Sequence, residues 1–166
     1  MDTLKFKPIY LGQSVIRYQV PLDIFTSINN IYEQNYNDLY KANSQLVGKI
    51  ENEHSLFYNG KDQSKMKNHN FLPTNVTDYF MQVFEHYLTF NSIKDYDTHL
   101  NSIWVNEMKQ HEYNPAHVHR GMLYTGLSSV MILKLPSTYG KEYSAEHIEQ
   151  NGRLQILGAA NGQFAK

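Results

Sequence analysis

Along the first hundred residues the apolar positions recur at intervals of three and four, whereas beyond them the interval becomes two. Residues 14–20 (SVIRYQV) mix β-branched and aromatic side chains in rough alternation. Pro21, which cannot donate into a ladder, ends the run, and the segment predicts an early strand. From Pro21 onward Leu22, Phe25, Ile28, Ile31, Tyr32, Tyr36 and Leu39 fall at helical spacing, predicting an amphipathic helix with one buried stripe. A second helix is predicted after Pro73, capped by Thr74 or Asn75, with Val76, Tyr79, Phe80, Val83, Phe84, Tyr87 and Leu88 on one face. Between the two, residues 59–70 (NGKDQSKMKNHN) are polar and aperiodic and predict a loop.

The period-two segments begin at residues 100–110 (LNSIWVNEMKQ). Ile103 and Val105 share one face there, and Ser102, Trp104, Asn106 and Met108 share the other. The first face suits a core against the helices; the second suits a mixed polar and aromatic pocket wall. Residues 127–135 (LSSVMILKL) are nearly continuous apolar and stop at Pro136, which predicts a strand buried on both sides. Residues 153–157 (RLQIL) predict another strand. Asn161-Gly162 is a favoured two-residue hairpin turn, and with four residues after it the returning strand is either very short or continued in a longer protein. These elements predict an α+β, mainly β chain in which N-terminal helices pack on a β-sandwich or barrel.

Composition narrows the function classes. With 166 residues, 41% hydrophobic and 19% charged, the chain has the size and apolar content of one packed domain. Lys plus Arg number 15 against 16 Asp plus Glu, and three of the 15 are arginine, which argues against a phosphate-tracking nucleic-acid surface. Absence of cysteine excludes a disulfide scaffold, a thiolate zinc site, an iron–sulfur cluster and a thiol nucleophile, so that any metal must be held by His, Asp or Glu. No apolar run reaches the roughly 18 residues of a membrane span, and MDTLKFKPIY has no signal-peptide pattern. The expectation is a soluble, cytoplasmic protein with no membrane partner.

The residue types that carry chemistry lie together at 111–121 (HEYNPAHVHRG). In extended backbone His117 and His119 project to the same face, where two imidazoles can converge on one borderline divalent metal such as iron, zinc or nickel. Pro115 confines Asn114 to extended conformations and supports that geometry. The plainer reading is that a chain with eight histidines contains such a pair by chance. His54, His69, His86, His99, His111 and His147 are expected in solvated or hydrogen-bonded roles. Glu107 and Glu112 are possible carboxylate ligands or bases, although a lone glutamate at a strand edge is ordinarily just exposed. No Gly-rich phosphate loop, nucleophile elbow or paired-carboxylate motif competes with the histidines.

The setting of the pair is more specific than the pair. Trp104-Val105-Asn106, Glu112-Tyr113-Asn114-Pro115-Ala116-His117-Val118-His119, Thr125 to Val130, Leu133-Lys134-Leu135-Pro136 and Tyr139-Gly140-Lys141-Glu142 resemble the iron(II)- and 2-oxoglutarate-dependent oxygenases of marine phages and bacteria. Leu46 to Ile50 and Asn151 to Gln155 extend the resemblance over most of the chain. It implies a double-stranded β-helix, jelly-roll or cupin-like, with residues 1–98 as an N-terminal strand and supporting helices and 99–166 as the first part of the jelly-roll. It implies Fe(II) and 2-oxoglutarate as cofactors, hydroxylation of a C–H bond in a small-molecule or peptide substrate, and, for a phage-encoded chain, the host cytoplasm.

Within that resemblance His117 matches the first metal ligand and is the catalytic candidate. His119 stands where related sites usually carry a carboxylate, which leaves open a three-histidine site or a supporting role for His119. Trp104, Asn106 and Ser129 are candidate contacts to cosubstrate or substrate. The distal histidine and the arginine that pairs with 2-oxoglutarate follow the Asn-Gly hairpin in similar proteins and would lie beyond Lys166. Two alternatives stand beside this reading: a cupin-type metalloenzyme that does not use 2-oxoglutarate, and a non-catalytic jelly-roll serving as a structural or binding module.

Overall fold

A computed structural model describes residues 4–10, 14–42, 48–58, 71–115, 117, 126–138 and 154. The chain starts with an antiparallel hairpin of β1 (Phe6–Tyr10) and β2 (Ser14–Tyr18), with Phe6 opposite Tyr18 and Tyr10 opposite Ser14. The strand expected at 14–20 is therefore present, and its partner carries Pro8, which a two-stranded sheet tolerates because both strands are edges.

Helix α1 (Leu22–Asn35) follows directly. Pro21 sits at its N-cap with φ −57°, and the Pro21 carbonyl accepts the first helical bond from the Phe25 amide at 3.0 Å. The expected stripe is out of phase at this end. Leu22 is 77% exposed, and the buried residues are Ile24 and Ile28. At about 100° per residue, Ile24 lies within about 40° of Ile28, whereas Leu22 lies about 120° away. The helix also stops at Asn35, before Leu39, which nevertheless reaches the core after a turn in which the Asp38 and Leu39 amides both donate to the Asn35 carbonyl.

The second sheet has the order β3 (Tyr40–Lys41), β4 (Asn52–Tyr58), β5 (Ser102–Glu107), all antiparallel. Helix α2 (Thr74–Phe90) intervenes between β4 and β5. Its buried residues Val76, Tyr79, Val83 and Leu88 belong to the expected face. Its cap differs from the expectation: Pro73 holds the N-cap position, Thr74 is already helical, and no side chain caps the end. The Pro73 carbonyl accepts from Val76 at 3.0 Å instead.

The core lies between the helices and one face of β4–β5, and comprises Ile24, Ile28, Leu39, Leu56, Leu72, Val76, Tyr79 and Val83. Ile103 and Val105 pack against it, as their alternation predicts. In the β4–β5 ladder Ser55 opposes Trp104 and Phe57 opposes Ile103, so Leu56 is the extra residue of a bulge. The bulge lets both Leu56 and Phe57 reach the core side.

Residues 127–135 differ from expectation. Among the described residues they enter no ladder, and only Met131 and Leu133 pack on the core, while Leu127, Val130, Ile132 and Leu135 are exposed. Among the described residues the segment is thus covered on one side, not both. The loop at 59–70 and the hairpin at Asn161-Gly162 lie outside the described residues, as does the strand at 153–157 apart from Leu154, which is exposed. The described chain is α+β, with two helices and two antiparallel sheets. No helix among the described residues is long and apolar enough to cross a membrane.

Polar contacts dock the hairpin on α2. The Tyr87 hydroxyl donates to the Ser14 carbonyl at 2.8 Å, Ser14 Oγ donates to Asn91 Oδ1, and the Tyr18 hydroxyl meets His86 Nδ1 at 2.8 Å. The Phe6 ring packs on His86 and Phe90 at centroid distances of 4.6 and 5.9 Å. Tyr87→Phe removes one donor and leaves the Ser14 carbonyl to find another, so urea unfolding should register a loss of about 1 kcal/mol.

Candidate functional site

Directly opposed residues in an antiparallel ladder share a face, so the register sorts the side chains of β4 and β5. Asn52 opposes Glu107 and His54 opposes Val105; this face looks toward α1. Glu53 opposes Asn106 and Ser55 opposes Trp104 on the outer face, where Tyr40 of β3 also opposes Ser55.

The outer face is the one expected as a pocket wall. Trp104 is 38% exposed, and Asn106 is half-buried, with its Oδ1 shielded and without a hydrogen-bond partner among the described residues. Glu53, buried beside Asn106, is a residue the sequence reading did not single out. Its carboxyl is pushed above the usual range by burial.

The inner face carries a polar network under α1. The Tyr32 hydroxyl meets His54 Nδ1 at 3.2 Å, and the Tyr36 hydroxyl donates to Glu107 Oε2 at 3.0 Å. Asn52 Nδ2 donates to the same oxygen at 3.2 Å, and Lys41 Nζ donates to Asn52 Oδ1 at 3.4 Å. The Tyr36 ring packs on the fully buried His54 ring at 4.6 Å. Burial raises the Tyr32 phenol, the hydrogen bond to Glu107 raises that of Tyr36, and burial lowers the His54 imidazole. Glu107, a candidate ligand or base from its residue type, here serves as the shared acceptor of this network. His54 and His86 are hydrogen-bonded, as expected of histidines outside the metal pair.

A strap leads from β5 to the histidine pair. The Glu112 amide donates to the Lys109 carbonyl at 3.1 Å, closing a turn in which His111 adopts φ 66°. Glu112 is not merely exposed: its Oε1 accepts the Glu51 amide at 2.9 Å and its Oε2 the Lys109 amide at 2.6 Å. Those two amides hold its carboxyl below the usual range. Lys49 and Tyr113 then exchange both backbone bonds, at 2.9 and 3.1 Å. Gly48 is the residue on which this stretch rests. A Cβ there would lie 2.4 Å from the Tyr113 carbonyl oxygen and 2.9 Å from Pro115 Cδ, so only glycine admits the approach.

At the end of the strap His117 is exposed, and its Nδ1 lies 2.7 Å from the Pro115 carbonyl oxygen. A carbonyl only accepts, so Nδ1 carries a proton, and in the neutral imidazole the lone pair is on Nε2. Metal-ligating imidazoles have this arrangement.

Of the sequence-predicted site residues, Trp104 and Asn106 share the outer face of β5, and His117 follows on the strap. Ser129, expected on the next strand, is exposed on irregular chain within 126–138. His119 lies outside the described residues. Among the described residues no group of three or more His, Asp or Glu side chains is placed to hold one metal ion. In comparisons with known proteins, no protein-family model, curated protein or solved structure matches this chain.

Proposed function

We propose that this chain is an iron(II)- and 2-oxoglutarate-dependent oxygenase domain of jelly-roll type, in which His117 is a metal ligand and His119 stands beside it in sequence as a second. The observation that carries the reading is the hydrogen bond from His117 Nδ1 to the Pro115 carbonyl, which turns the imidazole lone pair to Nε2. The sequence resemblance from Trp104 to Glu142 supports the choice of metal and cosubstrate. When bound, iron(II) would supply dioxygen chemistry, in which O2 is the oxidant: one oxygen atom oxidises 2-oxoglutarate to succinate and carbon dioxide and the other is inserted into a substrate C–H bond.

The chain's own residues orient and shield. His117 offers Nε2 in a fixed tautomer. Asn106 is the candidate polar contact to a small-molecule or peptide substrate or to the cosubstrate. Trp104 offers an apolar ring beside it on the same face, and Ser129 a hydroxyl donor.

The test is anaerobic Fe(II) titration of the protein, with and without 2-oxoglutarate. The metal-to-cosubstrate charge-transfer absorbance should form with wild-type protein and be lost in His117→Ala. Metal binding that ignores 2-oxoglutarate would favour a cupin-type metalloenzyme. No metal binding, with the fold intact, would leave a non-catalytic jelly-roll.

A further inference from the structure

The ladder between β4 and β5 ends at Asn52 and Glu107, and pairing resumes at Lys49 and Tyr113. Two residues, Ile50 and Glu51, span that gap on one side, and five, Met108 to Glu112, span it on the other. Three surplus residues must therefore leave the ladder. The Glu51 and Lys109 amides flank this excursion and need an acceptor there. The Glu112 carboxylate fills that role, one oxygen to each amide.

Contact continues from there to the imidazole without a break. The pair Lys49–Tyr113 closes the far side of the loop, Gly48 lies under Tyr113, Asn114 and Pro115, and the Pro115 carbonyl receives His117 Nδ1. Any outward movement of residues 113–115 therefore moves the acceptor that sets the tautomer and orientation of His117.

We propose that Glu112 is a positioning residue for His117: its carboxylate, together with the close seat provided by Gly48, fixes the strap that presents the imidazole. Its consequence for metal affinity rests on the reading of His117 as a ligand, whereas its consequence for the imidazole does not.

The experiment uses the full chain and two readouts. Ring nitrogen shifts of His117, read through its carbon-bound ring protons, report the tautomer, and hydrogen exchange at the Lys49 and Tyr113 amides reports the strap. Co(II) titration reports the metal site. Glu112→Gln retains the size of the side chain but offers one acceptor oxygen, and its amide nitrogen opposes the other backbone N–H. In that variant His117 should leave the Nδ1-protonated form. The Lys49 and Tyr113 amides should exchange at least about tenfold faster, and Co(II) affinity should fall about 10- to 100-fold, as when a partner of a metal ligand is removed.

Exchange at His54 and Val105, inside the ladder, should not change, which separates loss of positioning from loss of fold. Gly48→Ala should act in the same direction; should it fail to fold, Glu112→Gln decides alone. Unaltered His117 ring shifts in Glu112→Gln would overturn the proposal. Wild-type protein that ignores Co(II), or binds it equally as His117→Ala, would overturn the oxygenase reading and leave the ring shifts to decide the positioning role.

Discussion

Leu56→Ala is expected to lower the unfolding free energy by about 3–4 kcal/mol, within the range for truncating a fully buried leucine. Leu56 has no exposed surface and is the extra residue of the β4 bulge, in a cluster drawn from α1, α2 and β4. A cavity there is bounded on one side by a hydrogen-bonded ladder. Backbone fixed in a ladder relaxes little, so the site cannot collapse around the missing atoms. For a chain of this length the loss corresponds to a fall in Tm of about 6–16 °C. Urea unfolding should show a reduced midpoint with the same denaturant slope. Leu22→Ala, which truncates the same residue type at 77% exposure, should stay within about 0.5 kcal/mol of wild type. A Leu56→Ala variant that also stayed within 1 kcal/mol would mean that the bulge does not turn Leu56 into the core.

Legibility of the fold followed how strongly one face dominated each segment. Helix α2 was readable because Val76, Tyr79, Val83 and Leu88 repeat at three, four and five with little apolar competition from the opposite face. In α1 the apolar residue Leu22 drew the first turn of the predicted stripe away from Ile24, while Ile28, on the predicted stripe, is buried as expected. Both faces of β5 were readable from strict alternation. Strand β4 was not, because Asn52, Glu53, His54 and Ser55 are all buried and polar, a pattern that normally marks surface. What makes the burial of Asn52 and His54 tolerable is the set of partners on α1, β3 and β5, and no local rule anticipates those. The segment 127–135 failed for the opposite reason: a continuous apolar run carries no period, so whether one side or both are covered is decided by what packs on it.

For the candidate site, the residue types were legible and their supports were not. His117 and Pro115 stand two apart, and the hydrogen bond between them is local. Glu112, by contrast, grips an amide 61 residues earlier in the chain. A backbone N–H has no side-chain identity, so nothing at position 51 announces it. Gly48 is legible only as a glycine; its purpose is the carbonyl of Tyr113 lying against it. Glu53 comes beside Asn106 through a register that required β4 to be recognised first.

Acidification is expected to weaken the fold through His54. The imidazole is fully buried, with Nδ1 on the Tyr32 hydroxyl and Nε2 without a hydrogen-bond partner among the described residues. The groups around it are Tyr32 and Tyr36 from α1, Lys41 from β3 and Glu107 from β5. Burial lowers its pKa from the ordinary 6.5, Lys41 lowers it further, and the Glu107 carboxylate opposes both with less effect. Between pH 6.5 and the lower folded-state value, the unfolded chain binds a proton that the folded chain does not. Stability must therefore fall as pH falls through that window, by up to about 1.4 kcal/mol per pH unit for one proton. Glu53 works with the opposite sign, because its raised pKa lets the folded state take the proton first, and Glu112 contributes a loss only below 4.5. The His54 contribution is isolated by subtraction: urea unfolding of wild type and His54→Gln at intervals from pH 7.5 to 5. Wild type should lose its advantage steadily below pH 6.5, while the variant, with nothing to protonate at that position, lacks this component. Parallel curves would show that His54 takes up its proton as readily in the folded chain as in the unfolded one, and that α1 does not seal the Tyr32–His54 contact from water.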